Sequence, residues 1–337
     1  MGLPARQYLE IPGKQLSMRI VSPVDNFKEA GLILEAGADE LYGGYIPAEW
    51  DDYSLSASLN QRTFSAAQIS SEEELSEIIS LVHASERSFA LTLNAPFYTD
   101  EQLPLLIEYV DRMFTLGIDS LILADVGLLR LLKKRHPELE YHASTLAHLT
   151  NSGALRFMAE QGIQRAVLPR HLSVADMASI IQQVPGVLCD AFMLVGKCPN
   201  TEGLCTFHHS SAEKIWPCEI TYDVASLTDT ISPELQRAMM RQASWSETNR
   251  RHGCGLCAIP HLKKAGINGL KLVGRGAPAA QKVRNVILTR EFIALAESCK
   301  DFSEYQHKAM AAHRERFGAA CHQNVCYYPE FFDEGEL

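Results

Sequence analysis

The sequence predicts an α/β fold, a (β/α)8 TIM-like barrel with a long cysteine-bearing insertion between strands seven and eight. Three observations carry that expectation. First, one joint recurs four times: a helix, a Gly, one apolar residue, a short polar spacer, then a strand. It appears as AGADELYGG (36–44), LGIDSLILAD (116–125), QGIQRAVLPR (161–170) and AGINGLKLVGR (265–275). The Gly supplies the left-handed residue that ends the helix, and the apolar residue re-enters the core. Second, the strands read as short and apolar on both faces, as parallel strands covered by helices should. Third, the strands number eight, near 18–24, 39–43, 89–94, 120–125, 140–144, 165–169, 188–195 and 269–274. An open doubly wound sheet is the alternative.

The elements follow in order. Residues 1–17 read as an irregular arm, and MRIVSPV as the first strand. Asp25 or Asn26 can cap the helix FKEAGLILEAG, which stops at Gly37. The strand of ADELYGG comes next, followed by an insertion over 45–68. The helix SSEEELSEIISLVHASE leads to FALTLNAP, GLLRLLKKRHPE to LEYHAST, and VADMASIIQQV to VLCDAFMLVG. The second insertion, 196–264, precedes the last strand. Two units are expected: the barrel over 18–290, including that insertion, and C-terminal helices with an irregular tail over 291–337. Both insertions leave from the C-terminal ends of strands, the face on which such barrels place their chemistry.

Composition bounds the function. The chain has 337 residues, 46% hydrophobic and 21% charged, enough for a large core. It holds no apolar run of 18 residues, so no membrane helix is expected. The N-terminus lacks an apolar signal region, and the cysteine usage favours a reducing cytoplasm. A net charge of −10 argues against broad electrostatic binding of nucleic acid.

Five of the nine cysteines fall within residues 198–257, in a polar stretch rich in turn residues. Cys198 and Cys205 flank Pro199 and Gly203; Cys218 follows; Cys254 and Cys257 form a CxxC pair. A turning loop can aim several thiolates at one point, as zinc or an iron–sulfur cluster requires. Spacing alone does not separate the two metals, and unrelated free thiols are the bland alternative. Cys321 and Cys326 could form a disulfide, while Cys189 and Cys299 read as core thiols. The strand ends offer Asn94, Asp125, Ser144, Thr145, Arg170, His171, Lys197, Lys271 and Arg275. Such a ring suits a small carboxylate or phosphate, with rim salt bridging as the alternative. His208, His209 and His252 could be ligands, proton donors or solvated loop residues. No Gly-rich phosphate loop, HExxH or GxSxG occurs.

Over about residues 18–280 the chain resembles the collagenase-like peptidase family U32. The residues that carry the likeness are AGADELYGG, NQRTFS, LTLNAP, LGIDSLILADVGLL, HASTLAHLTNSGALRFMAEQGIQRAVLPRHLS, GKCPNTEGLC and GLCAIPHLKKAGINGLKLVGR. The resemblance implies oxygen-independent hydroxylation more than proteolysis. It implies a four-iron, four-sulfur cluster on Cys198, Cys205, Cys218 and Cys257, with Cys257 preferred over Cys254. It implies ubiquinone precursors or an RNA base as substrates, prephenate as hydroxyl source, and in some members a paralogous partner subunit. The chain departs from the family at Arg170-His171-Leu172-Ser173, Leu272-Val273-Gly274-Arg275 and Ser144-Thr145-Leu146-Ala147, where relatives carry two carboxylates and an amide. With no added basic domain, a small aromatic or isoprenoid-type substrate is favoured over nucleic acid. Arg170, Arg275 and Lys271 are then expected to hold a carboxylate that Asn94 and Ser144 orient. A peptidase and a structural zinc protein are the competing classes.

Overall fold

Eight parallel strands pair in sequence order and close into a barrel in the computed structural model of the chain. The structure describes residues 18–50, 59–62, 64–198, 200–205, 225–227 and 230–332. The strands are β1 (Arg19–Pro23), β2 (Glu40–Gly43), β3 (Ser88–Leu93), β4 (Ser120–Leu123), β5 (Glu140–Ala143), β6 (Arg165–Val167), β7 (Leu188–Leu194) and β8 (Gly269–Leu272). Closure is made where Arg19, Ile20 and Val21 pair with Gly269, Leu270 and Lys271. The helices outside are α1 (Phe27–Glu35), α2 (Glu72–Ala84), α3 (Leu103–Leu116), α4 (Val126–Arg135), α5 (Ser152–Glu160) and α6 (Val174–Gln183). They continue with α7 (Pro233–Glu247), α8 (Ile259–Ala265), α9 (Ala279–Ser298) and α10 (Phe302–Phe317). No helix among the described residues is long and apolar enough to cross a membrane.

The repeated joint takes the form its sequence requires. Gly37, Gly117, Gly162 and Gly266 all have positive φ, at 104°, 94°, 109° and 90°. A side chain there would meet the steric penalty of the left-handed region. Of the two candidate caps for α1, Asn26 accepts from the Glu29 N–H at 3.1 Å. Asp25 instead accepts from the Gly276 N–H at 2.5 Å and pairs with the buried Lys282 of α9.

The strand composition differs from the expectation. The strands are not apolar on both faces: Glu40, Glu140, His142, Arg165, Asp190 and Lys271 all sit on them, and five of these six are buried. Alternation along a strand turns these residues to the inner face, while the outer face meets the helices. The division at 290 falls inside α9, one uninterrupted helix whose Lys282 also pairs with Glu29 at 2.5 Å. The tail is tied in as well. Tyr328 donates its hydroxyl to the Phe192 carbonyl at 2.7 Å, and Tyr327 to that of Val195 at 2.9 Å. All eight described cysteines are free thiols, so Cys321 and Cys326 are not joined. Cys189 is a core thiol; Cys299 is only half-buried, after α9.

Candidate active site at the barrel mouth

The barrel's inner face carries a charged network. Arg165, 1% exposed, lies 2.8 Å from Glu40, 3.2 Å from Glu140 and 3.8 Å from Asp190. His142 contacts Glu140 at 3.0 Å. Burial disfavours each charge, and the carboxyls of Glu40 and Asp190 are pushed up by it against the pull of nearby cations. Burial alone would push His142 down, but the carboxylates of Glu140, Glu40 and Asp190 carry it up. Composition and periodicity did not single out this network. Its one sequence signal is a charged residue two positions before an inward aromatic in a short strand, as in Glu40–Tyr42 and Asp190–Phe192.

Lys271 lies beside this network. Its ammonium lies 3.9 Å from the centroid of the Tyr42 ring. Burial lowers its pKa to about 8, against Asp190 and Glu40, which raise it, and with Arg275 and Arg170, which lower it further. Tyr42 is fixed by its hydroxyl, which donates to the Leu272 carbonyl at 2.8 Å.

The two arginines have protein partners. Arg275 donates from Nε to the Ala67 carbonyl at 3.0 Å and from Nη1 to Asn60 Oδ1 at 3.1 Å and Thr92 Oγ1 at 3.0 Å. Its Nη2 donates to Gln68 Oε1 at 3.0 Å and also to Ala67. The guanidinium thus clamps the end of the 45–68 insertion onto β3. Arg170 donates from Nη1 to the Gly196 carbonyl at 2.6 Å, stacks 4.0 Å from the Phe192 ring centroid and faces Glu202 at 2.7 Å. Asn94 and Ser144 are brought together, Nδ2 to Oγ at 3.5 Å, and Asn94 Oδ1 also accepts from the Gln61 N–H. Asp125 caps α4 through the Leu128 N–H at 2.7 Å. Lys197 donates to the Cys326 carbonyl at 2.9 Å. His252 stacks on Phe317 with centroids 4.9 Å apart; His208 and His209 lie outside the described residues.

The cysteine loop leaves β7 and reaches the turn after β5. A Cβ on Gly203 would fall well inside contact distance of His148, so the loop's 3-10 turn presses directly on that residue. Around it Thr145 Oγ1, His148 Nδ1, Asn200 Nδ2 and Glu202 Oε2 are buried without a hydrogen-bond partner among the described residues. Buried polar atoms ordinarily find partners, and these four find none among the described residues. Cys198 and Cys205 stand half-buried on the same loop.

The four-cysteine set fits only in part. Cys218 lies outside the described residues. Cys257 lines a small cavity with Cys254, Cys321 and Cys326. Among the described residues no three His, Cys, Asp or Glu side chains converge as a formed metal cage.

The structure is a closed βα barrel with Lys271 buried on β8 and with cysteines and orphaned polar groups on the loops beyond its strands. The sequence profile of peptidase family U32 matches residues 25–330, and the chain belongs to that family. The tRNA hydroxylation protein P of Haemophilus influenzae is 27% identical over 192 residues, covering 57% of this chain and 38% of that protein. Its namesake in Helicobacter pylori is 30% identical over 188 residues, 56% of this chain and 42% of that one. The 23S rRNA 5-hydroxycytidine synthase of Escherichia coli is 27% identical over 138 residues, 41% and 20%. The chain therefore spans about two fifths or less of the length of these relatives. A solved U32 peptidase, Mk0906, superposes with a TM-score of 0.49 at 12% identity over 77% of this chain and 94% of its own. The names of the relatives weigh against the expectation that nucleic acid is an improbable substrate.

Proposed function

We propose that the chain takes part in hydroxylating an RNA base at the C-terminal mouth of its barrel. One observation carries the reading: a U32 match over residues 25–330 whose curated relatives are named for hydroxylation of tRNA and rRNA. The small aromatic or isoprenoid-type substrate, favoured from the resemblance and the acidic charge, has no such support.

Lys271 supplies the cation of the site. At neutral pH it is mostly protonated and can hold an anionic oxygen, yet a pKa of about 8 also lets it exchange a proton. Asn94 and Ser144 offer a hydrogen-bonding pair across β3 and β5. Arg275 shapes the wall, because its N–H groups already meet protein oxygens. Arg170 and Glu202 fix the root of the cysteine loop. The net charge of −10 makes the chain a poor grip for phosphates, so the RNA backbone is held by another segment or a partner subunit. On this reading the iron–sulfur centre implied by the resemblance draws on the loop thiols Cys198, Cys205 and Cys218. Nucleoside mass analysis of RNA from cells with and without the protein tests the proposal. Loss of a nucleoside carrying one extra oxygen is expected; an unchanged nucleoside profile contradicts it.

A further inference from the structure

The acidity of the chain has a local exception in α4. That helix carries Arg130, Lys133, Lys134 and Arg135 and no acid. Two of these cations are engaged: Lys133 donates to the Pro137 carbonyl at 3.0 Å, and Arg135 pairs with Asp111 at 2.5 Å. Arg130 and Lys134, one turn apart on the same edge, are exposed, and their side chains make no ion pair or hydrogen bond among the described residues. Both line a groove of about 470 Å³ where the loop between β3 and α3 passes α4. We propose that this groove takes one unpaired nucleotide of the RNA strand, a neighbour of the base that enters the barrel mouth. The assignment rests on the RNA reading above and adds to it a place for the strand.

The chemistry of the walls carries the choice of occupant. The volume falls in the range of small-ligand sites, about 300–1,000 Å³. Leu103, Leu128 and Leu131 line it together with Tyr98 and Asp100. Phe97, next to Tyr98 in the same loop, is 53% exposed. A nucleotide matches each part. Its phosphate meets Arg130 and Lys134, its base lies on apolar and aromatic side chains, and a ribose hydroxyl or base amine donates to Asp100. An acidic peptide would also meet the Asp100 carboxylate and has no donor matched to it. Two free cations are fewer than a polybasic membrane site employs.

The position of the groove connects it to the mouth. Asp125, another of its wall residues, directly precedes α4 at the end of β4. Its carboxylate accepts from the Leu128 N–H at 2.7 Å and from the Tyr98 N–H at 3.3 Å, so it is occupied within the wall. Tyr98 is fixed in turn by its hydroxyl, which donates to the Leu59 carbonyl at 2.7 Å. Asn94, which meets Ser144 across β3 and β5, begins the loop that carries Tyr98. A strand lying in the groove therefore reaches the polar pair at the strand ends. The net charge of −10 still leaves most of the backbone to another segment or a partner, and the groove neutralises only about two charges.

The test is anisotropy titration of the full chain with a fluorescent single-stranded RNA at about 50 and 200 mM salt. The unmodified chain is compared with Arg130→Gln/Lys134→Gln and with a control of equal charge change at exposed positions elsewhere, Lys28→Gln/Lys300→Gln. All four side chains are exposed, so unchanged circular dichroism is expected of both variants. The groove variant should bind RNA about fivefold more weakly at the lower salt, with a log–log salt slope shallower by about one to two. The control should match the unmodified chain. A cross-link from 4-thiouridine in the RNA should fall within residues 97–103 or 126–134. Equal affinity and slope in the groove variant and the control, or no RNA binding by the unmodified chain, overturns the assignment. A free mononucleotide bound as tightly as the strand makes this a small-molecule site and overturns it too. The hydroxylation reading fails separately: an unchanged nucleoside profile in cells lacking the protein, with groove-dependent RNA binding intact, removes the chemistry and leaves the groove standing.

Discussion

At the scale of single residues, the charged interior decides stability. Arg165 faces Glu40, Glu140 and Asp190 with almost no solvent. Removing one partner of a buried ion pair leaves a charge uncompensated. Arg165→Met is therefore expected to lower unfolding stability by about 3–5 kcal/mol in urea titration, and Glu40→Gln added to it should recover part of the loss. Lys271 makes the opposite prediction. Its folded pKa, about 8, lies below the ordinary lysine value, so its contribution is unfavourable below pH 8 and is relieved as pH rises toward 10.5. Lys271→Met should raise stability at pH 7 by on the order of 3 kcal/mol. That advantage should vanish by about pH 10.5, and hydroxylation should be lost with the cation. A variant that is no more stable at pH 7 contradicts the assigned burial.

At the scale of elements, the joints and loops were unequally readable. The four Gly joints were legible because a left-handed cap is a local demand that one residue type meets. The inner network was not, because a charged residue in a strand says nothing of which face it takes until register is known. That Cys257 has Cys321 and Cys326 as neighbours was not legible, since nothing local announces a tail that returns 64 residues later. Arg275 was legible as a mouth residue but not as a clamp, because its acceptors come from the 45–68 insertion. Arg275→Lys keeps the charge but loses the fork. It should speed limited proteolysis within that insertion severalfold while the barrel's circular dichroism is unchanged. Gly203→Ala should force the cysteine loop away from His148 and lower its metal content, with global stability changed by less than about 1 kcal/mol. Equal metal content would separate the loop's seat from its chemistry.

At the scale of the molecule, the barrel closes through β1 and β8, and a tail that hydrogen-bonds to β7 and the residue after it braces it. The eight strands lie where sequence pattern put them, and residue 290 falls within α9, whose Lys282 donates to Glu29. The chain belongs to the U32 family, and its barrel mouth carries polar groups and the loop thiols Cys198 and Cys205. The most direct test is quantification of iron and acid-labile sulfide in the anaerobically purified chain, with and without Cys198→Ser/Cys205→Ser. Iron and sulfide in matched amounts, lost together in the variant, are expected. A folded chain that holds neither, under conditions that preserve such centres, contradicts the account.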